Sequence, residues 1–265
     1  MGHADVTGLP RSLKLLWGRE EPQRRGPKPS LSLERIAAAA IALADAEGMQ
    51  AVSMSRVAGQ LGFTTMSLYR YVSAKDDLIA LMLDVAIGRP DLPEDATAGW
   101  RARLEHWSLG YLTALRRHPW MTRTPISGPP VTPNQVAWME AALGALAETA
   151  LTDAEKLSIL LLVNNYVRGV GQLSADLAEA DEESRPGQSA VMSQYGQVLA
   201  QLIDAEGFPT LRGMLASGVF DQPDDEPDVE FNFGLRMILD GVARLVQERH
   251  ATRQMPGKAL RGQPS

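Results

Sequence analysis

The sequence predicts an all-α protein: an N-terminal three-helix helix-turn-helix domain followed by a larger helical domain for ligand binding and dimerisation. Three observations carry this expectation. Apolar residues recur at helical spacing from Ser32 onward. No run of alternating apolar residues bounded by hairpin turns occurs, so no sheet is expected. Clusters rich in Pro, Gly or acid separate the helical stretches.

Residues 1–30 are rich in Pro, Gly and Arg and read as a flexible basic arm, in which Leu13, Leu16 and Trp17 form one apolar helical face. Residues 31–87 read as the helix-turn-helix domain. In its first helix Ile36, Ala40, Ile41 and Ala44 share one face before Gly48. Ser53 N-caps a second, with Met54, Val57, Ala58 and Leu61 inward. Gly62 follows where a helix end often needs positive φ. The third helix is predicted over residues 64–71 with Leu68 turned to the core. Thr64, Thr65, Met66, Ser67, Tyr69, Arg70 and Tyr71 are left toward the outside, a face of hydroxyls, phenols and a guanidinium without a carboxylate. Such groups donate to phosphates and base edges, which a carboxylate would repel. Lys75, beside a predicted capping box at Ser73–Asp76, adds a phosphate contact. An ordinary helical hairpin is the competing reading.

Residues 88–250 read as the second domain, after the break at Gly88-Arg89-Pro90, and 251–265 as a disordered tail. Helices are expected at about 97–117, 133–148, 152–179, 189–205 and 228–248, with a capping box at Thr152–Glu155. Val191, Tyr195, Val198 and Leu202, and then Phe231, Leu235, Ile238, Val242 and Leu245, form apolar stripes at spacings of three and four. Such stripes suit helices crossing at small angles, either in a homodimer through 189–205 and 228–248 or in the chain's own core. His106, Trp107, Tyr111, Trp138, Asn165 and Arg168 combine aromatic walls with a few polar groups, the make-up of a small-molecule effector pocket or of plain core.

Charge separates the two ends. Residues 1–75 carry ten Lys and Arg against six Asp and Glu, and the rest carries 16 against 26. A basic front and an acidic rear suit a chain that presents one end to double-stranded DNA. Arg24, Arg25 and Lys28 are placed to reach an adjacent minor groove or to stay solvated. The absence of cysteine excludes disulfides and thiolate sites and fits a cytoplasmic protein. The longest clean apolar run, Ile159 to Val163, is far below a membrane span, and Arg11, Lys14 and Arg19 interrupt any leader-like apolar core. The four histidines lack paired ligand spacing, so no metal or cofactor is expected. No nucleophile with a base, phosphate-binding glycine loop or spaced carboxylate pair points to an enzyme; a helical enzyme or an interaction module is the alternative to a DNA-binding regulator.

From Leu33 to Leu83 the chain resembles the DNA-binding domain of the tetracycline repressor family. The residues are Ala46-Glu47-Gly48, Ser53-Met54-Ser55-Arg56-Val57-Ala58, Leu61-Gly62, Ser67-Leu68-Tyr69-Arg70-Tyr71-Val72 and Lys75-Asp76-Asp77-Leu78. The C-terminal part, including His118-Pro119, is similar to that family's ligand domain. The resemblance implies a cytoplasmic transcriptional repressor that binds a palindrome as a homodimer and is released by a small molecule. It implies DNA contacts from Thr65, Met66, Ser67, Tyr69, Arg70 and Tyr71, with Lys75 on the backbone and second-helix contacts near Met54 and Ser55. Metal-bound tetracycline is not implied, because the polar residues that hold it are not matched.

Overall fold

The computed structural model describes residues 11–19, 31–91, 98–126, 128–184, 188–221 and 228–254. All its regular elements among these residues are helical. They are α1 (Arg11–Leu16), α2 (Leu33–Glu47), α3 (Met54–Leu61), α4 (Thr65–Leu68), α5 (Lys75–Ile87), α6 (Trp100–Arg117), α7 (Trp120–Arg123), α8 (Pro133–Ala145), α9 (Asp153–Ser184), α10 (Gln188–Leu202), α11 (Pro209–Ala216) and α12 (Val229–Gln254), with short 3₁₀ turns at Met49–Ala51 and Val219–Asp221. Two compact units form, one from residues 1–171 with 235–265 and one from 172–234.

The first unit begins with the helix-turn-helix head. Ser32 and Ser53 sit in extended backbone and accept from Arg35 N and Arg56 N at 3.3 Å each, satisfying free N–H groups where α2 and α3 start. Gly62 ends α3 at φ 74°, and Gly62 N and Phe63 N bond back to Gly59 O and Ala58 O. This paired closure needs a left-handed residue, which glycine supplies without a steric penalty. Ile36, Ala40, Val57, Ala58, Leu68, Val72, Leu78 and Met82 fill the core of the head. Arg56 binds Glu47 through both guanidinium arms, at 2.9 and 2.6 Å, and so ties α3 to α2. That hydrogen-bonded pairing holds the Glu47 carboxyl below its ordinary value.

One helix start differs from expectation. At α5 the carboxylate that reaches back is Asp77, which accepts from Ser73 N at 2.9 Å, and the N-cap position falls on Ala74. Within the predicted arm, Arg11–Leu16 is helical and buries Ser12. The box at Thr152 forms as expected: Thr152 N donates to Glu155 Oε2 at 2.8 Å and Glu155 N to Thr152 Oγ1 at 3.3 Å.

The head is joined to α6–α9 by a few polar groups. Asp84, mid-way along the apolar α5, is 3% exposed. Its Oδ1 accepts from Asn134 N at 2.8 Å and Gln135 N at 3.3 Å, and its carbonyl accepts from Asn134 Nδ2 at 2.8 Å. Asp84 therefore caps α8 from another helix. Thr132, at the N-cap position itself, makes no side-chain cap, and its buried hydroxyl has no partner among the described residues. Asp45 of α2 accepts from Trp120 Nε1 at 2.7 Å and His118 Nδ1 at 2.9 Å. Far from the head, Arg249 of α12 donates to Glu155 at the start of α9, Nε at 2.7 Å.

The second unit has a different character. Ser193 Oγ donates to Asp221 Oδ1 at 2.7 Å, Arg212 Nη1 donates to Ala200 O at 3.2 Å, and Tyr195 meets Phe220 edge to face at 5.9 Å. No residue of α11 is buried, and Tyr195, Val198 and Leu202 of the predicted α10 stripe are exposed. On α12, Phe231, Leu235 and Val242 are instead buried in the chain's own interior. Helical spacing is the same for a core stripe and an interface stripe, which is why the sequence did not separate them.

Two outcomes are expected from thermal and urea unfolding. Asp84→Ala, which leaves two part-buried N–H groups without an acceptor, lowers stability by about 2–3 kcal/mol, whereas Thr132→Val leaves it unchanged or raises it by up to about 1 kcal/mol, because it removes a buried hydroxyl with no partner among the described residues. The Glu155 carboxyl is pulled down to about 2 from an ordinary 4.5, chiefly by its hydrogen bond to Arg249 and next by Thr152 N. A carboxyl lowered in the folded state stabilises fully above its unfolded value and less as pH falls. The Arg249–Glu155 contribution is thus lost between pH 4.5 and about 2, and Glu155→Gln should flatten the acid limb of the stability curve in that window.

Candidate nucleic-acid interface and effector region

α4 is one turn long, shorter than the predicted 64–71, and the chain continues through a tight turn to Tyr71. Tyr69 N still bonds to Thr65 O at 3.2 Å, but Tyr71 N bonds to Leu68 O at 2.8 Å, an i to i+3 closure that tightens the coil. Leu68 and Val72 are fully buried and anchor this segment to the head.

Between those anchors the outward residues emerge together. Met66 is 73% exposed, Tyr69 is 45% exposed, and Thr64 and Arg70 are exposed as well. Thr65 and Ser67 are half-buried, and Ser67 Oγ lies 3.0 Å from Thr64 Oγ1. Thr64, Met66, Ser67, Tyr69 and Arg70 line one open recess of about 280 Å³. An exposed large thioether beside hydroxyls and a guanidinium offers an apolar contact for a base methyl and donors for base edges and phosphates. Lys75 opens α5 and is exposed; Ser55 is exposed on α3 with its hydroxyl 3.2 Å from Ser53 Oγ.

Two residues differ from their sequence reading. Tyr71 is half-buried and its hydroxyl donates to Leu31 O at 3.0 Å, so that group braces the chain entering α2 and is not turned outward. Met54, where the family resemblance suggested a contact, is buried. Arg24, Arg25 and Lys28 lie outside the described residues.

The six residues predicted for an effector pocket divide into two groups. Trp107 and Tyr111 stack in parallel on α6, centroids 5.2 Å apart, and Trp138 of α8 meets both edge to face at 5.7 and 5.3 Å. All three are buried. Trp107 Nε1 donates to Trp138 O at 2.8 Å, and Trp138 Nε1 donates to Gly88 O at 3.0 Å, so both indole N–H groups are satisfied inside. The cluster is therefore bonded to the residue at which α5 ends. His106 turns instead to Asp91 O at 3.0 Å, Arg168 lies 3.5 Å from Met121 O and Thr122 O, and Asn165 is exposed on α9. Sequence reasoning missed Asp84 and Asp45. A lone acid inside the apolar run Leu78–Ile87 was the available signal for Asp84; nothing local marks Asp45.

Comparison with known proteins adds to this geometry. Residues 36–82 match the model of bacterial regulatory proteins of the tetR family, and residues 92–246 match that of the tetracyclin repressor-like C-terminal domain. The HTH-type transcriptional repressor DrrR1 of Streptomyces coeruleorubidus is 38% identical over 254 residues, covering 94% of this chain and 92% of the relative. HTH-type transcriptional repressor Rv1353c of Mycobacterium tuberculosis is 26% identical, covering 87% of this chain and 86% of the relative. Among solved structures, ActR of Streptomyces coelicolor in complex with actinorhodin has a TM-score of 0.67 at 25% identity, over 82% of this chain and 97% of ActR. A helix-turn-helix head, a helical C-terminal domain and matches along both make this chain a member of the tetR family of bacterial regulatory proteins.

Proposed function

We propose that this chain is a ligand-responsive transcriptional repressor that binds a palindromic operator as a homodimer and leaves it when a small molecule binds. The observation that carries this reading is the cluster of Thr64, Met66, Ser67, Tyr69 and Arg70 on one exposed face, held by the buried pair Leu68 and Val72. In DNA these residues enter the major groove, with Lys75 and Ser55 on phosphates. Two such segments, about 34–36 Å apart, read successive half-sites. The repressor reading rather than an enzyme follows its relatives, which are transcriptional regulators.

Exposed apolar residues support the homodimer. α9 presents Leu157 and Leu161, and α12 presents Val229, Phe233 and Met237 at spacings of four. With Phe231, Leu235 and Val242 turned into the chain's own core, this other face of α12 suits a partner subunit, and so, each taken singly, do the exposed faces of α9 and α10.

The effector is proposed to be an aromatic small molecule that engages the Trp107–Tyr111–Trp138 cluster. Support comes from the buried aromatic surface and from ActR, which is solved with actinorhodin. Because Trp138 bonds to Gly88 O and Asp84 caps α8, a ligand that moves α8 also moves α5 and the head attached to it. The ligand must prefer the moved state for this to release DNA.

Three measurements test the proposal. Lys75→Gln should weaken binding to operator and random duplex alike and reduce the salt slope by about 1.8, the signature of one lost phosphate contact in each of two subunits. Arg70→Gln should cost about 1–3 kcal/mol on the operator and much less on random DNA. Unchanged affinity in both variants sinks the assignment of the reading segment. Titration with actinorhodin should quench tryptophan emission and release the operator, and Trp138→Phe, which loses the bond to Gly88 O, should keep binding the compound while releasing DNA less.

A further inference from the structure

Helix α1 is no part of the helix-turn-helix, yet it is held at both ends. At its start the Arg11 guanidinium donates to the carbonyl of Arg70, in the turn that follows α4. Ser12 is 4% exposed, and α1 packs against α5. At its far end Trp17 Nε1 donates to Val131 O at 2.9 Å. Gly18, at φ 61°, closes the helix: Gly18 N bonds to Leu15 O at 3.0 Å and Arg19 N to Lys14 O at 2.8 Å. That closure requires the left-handed conformation and fixes where Trp17 leaves the helix.

The two anchor points belong to different machinery. Arg70 lies between Tyr69 and Tyr71 in the reading segment. Val131 directly precedes Thr132 and Asn134, at the start of α8, where Asp84 supplies the cap. We propose that α1 is a strap joining the DNA-reading segment to the loop in front of α8, with Arg11 and Trp17 as its positioning residues. A shift of that loop moves Trp17, then α1, then the Arg70 carbonyl, and so re-aims the Tyr69 and Arg70 side chains. This route runs beside α5 and rests on the reading of residues 64–71 as the DNA-contacting segment.

Helix physics makes the strap cooperative. A six-residue helix about 9 Å long does not persist alone in water, because nucleation costs more than so few bonds return. α1 is therefore ordered by its two anchors together with its packing on α5, and losing either anchor loosens the other. A merely decorative helix would lack this property.

The test is amide hydrogen exchange on the full-length free protein, with Trp17→Phe, which keeps a ring but removes the donor, with Arg11→Gln, and with both together. Trp17→Phe should speed exchange at the Tyr71 and Val72 amides, at the opposite end of α1, by roughly three- to tenfold, the change expected from one lost hydrogen bond. Arg11→Gln should do the same at the Val136 amide, and the double variant should add nothing beyond the larger single effect. Effects confined to the end that was changed, or an equal rise at the Leu239 and Val242 amides of α12, would overturn the strap. Exchange is measured without DNA, so its outcome is separate from the assignment of the reading segment. On the operator, Trp17→Phe should then weaken affinity by the same few-fold factor, although Trp17 lies outside the reading segment; unchanged affinity would overturn the re-aiming of Tyr69 and Arg70.

Discussion

The Asp84 carboxylate is the constraint on which the joining of head to body depends. A charged group at 3% exposure is tolerated only when it is hydrogen-bonded, and here the first turn of α8 donates twice to its Oδ1. A helix start carries free N–H groups and partial positive charge, so it is a natural partner for a buried anion. The arrangement inverts the usual cap. Thr132 holds the local capping position, but its hydroxyl bonds to nothing among the described residues, while Asp84, 50 positions before Asn134, does the capping. The pairing fixes the register of α5 against α8, since sliding either helix by a turn would strand a buried charge. Rigidity at this point is what lets a change in the body reach the head at all.

The head handles polarity in the opposite way. Its capping and bracing bonds are local or nearly so: Ser32, Ser53, the Arg56–Glu47 pair and the Tyr71 hydroxyl on Leu31. These leave Thr64, Met66, Tyr69 and Arg70 exposed. A reading surface must keep its donors unspent until DNA arrives, and its shape must already be set, because ordering long side chains costs free energy at binding. Buried Leu68 and Val72 set the shape. Exposed Met66 supplies apolar surface that a soluble head would otherwise hide.

How much of this was legible in the sequence depends on the range of the interaction. Ser53, Gly62 and the apolar stripe of α2 act within a few residues, and the helix-turn-helix was readable from them. The tightening after Leu68 and the inward turn of the Tyr71 hydroxyl depend on Leu31, 40 residues away, and the pattern of 64–71 alone pointed to a longer helix with Tyr71 outside. Asp77 rather than Asp76 closes the start of α5, a one-residue difference that a capping pattern does not resolve. Trp107, Tyr111 and Trp138 were chosen for their chemistry, and they do come together; Asn165, His106 and Arg168 were chosen on the same grounds and have other surroundings. Composition identifies what a side chain can do, whereas its partner is set by the fold.

The aromatic cluster and the head share a boundary of very few bonds. α5 ends at Gly88, whose carbonyl accepts from the Trp138 indole; the Trp138 carbonyl in turn accepts from the Trp107 indole. Asp45 on α2 takes the His118 and Trp120 donors on the other side of the head. Each bond is worth only about 0.5–1.5 kcal/mol net, or up to about 3 kcal/mol where a carboxylate accepts. A transition that trades two or three of them therefore costs a few kcal/mol, which is within the differential affinity that one bound ligand can supply. These directional bonds at Gly88, Asp84 and Asp45 stand beside the apolar packing of α5 on α6 and α8. In the proposed response to a small molecule they are the contacts whose exchange sets the threshold, in residues outside both the segment 64–71 and the aromatic stack of α6.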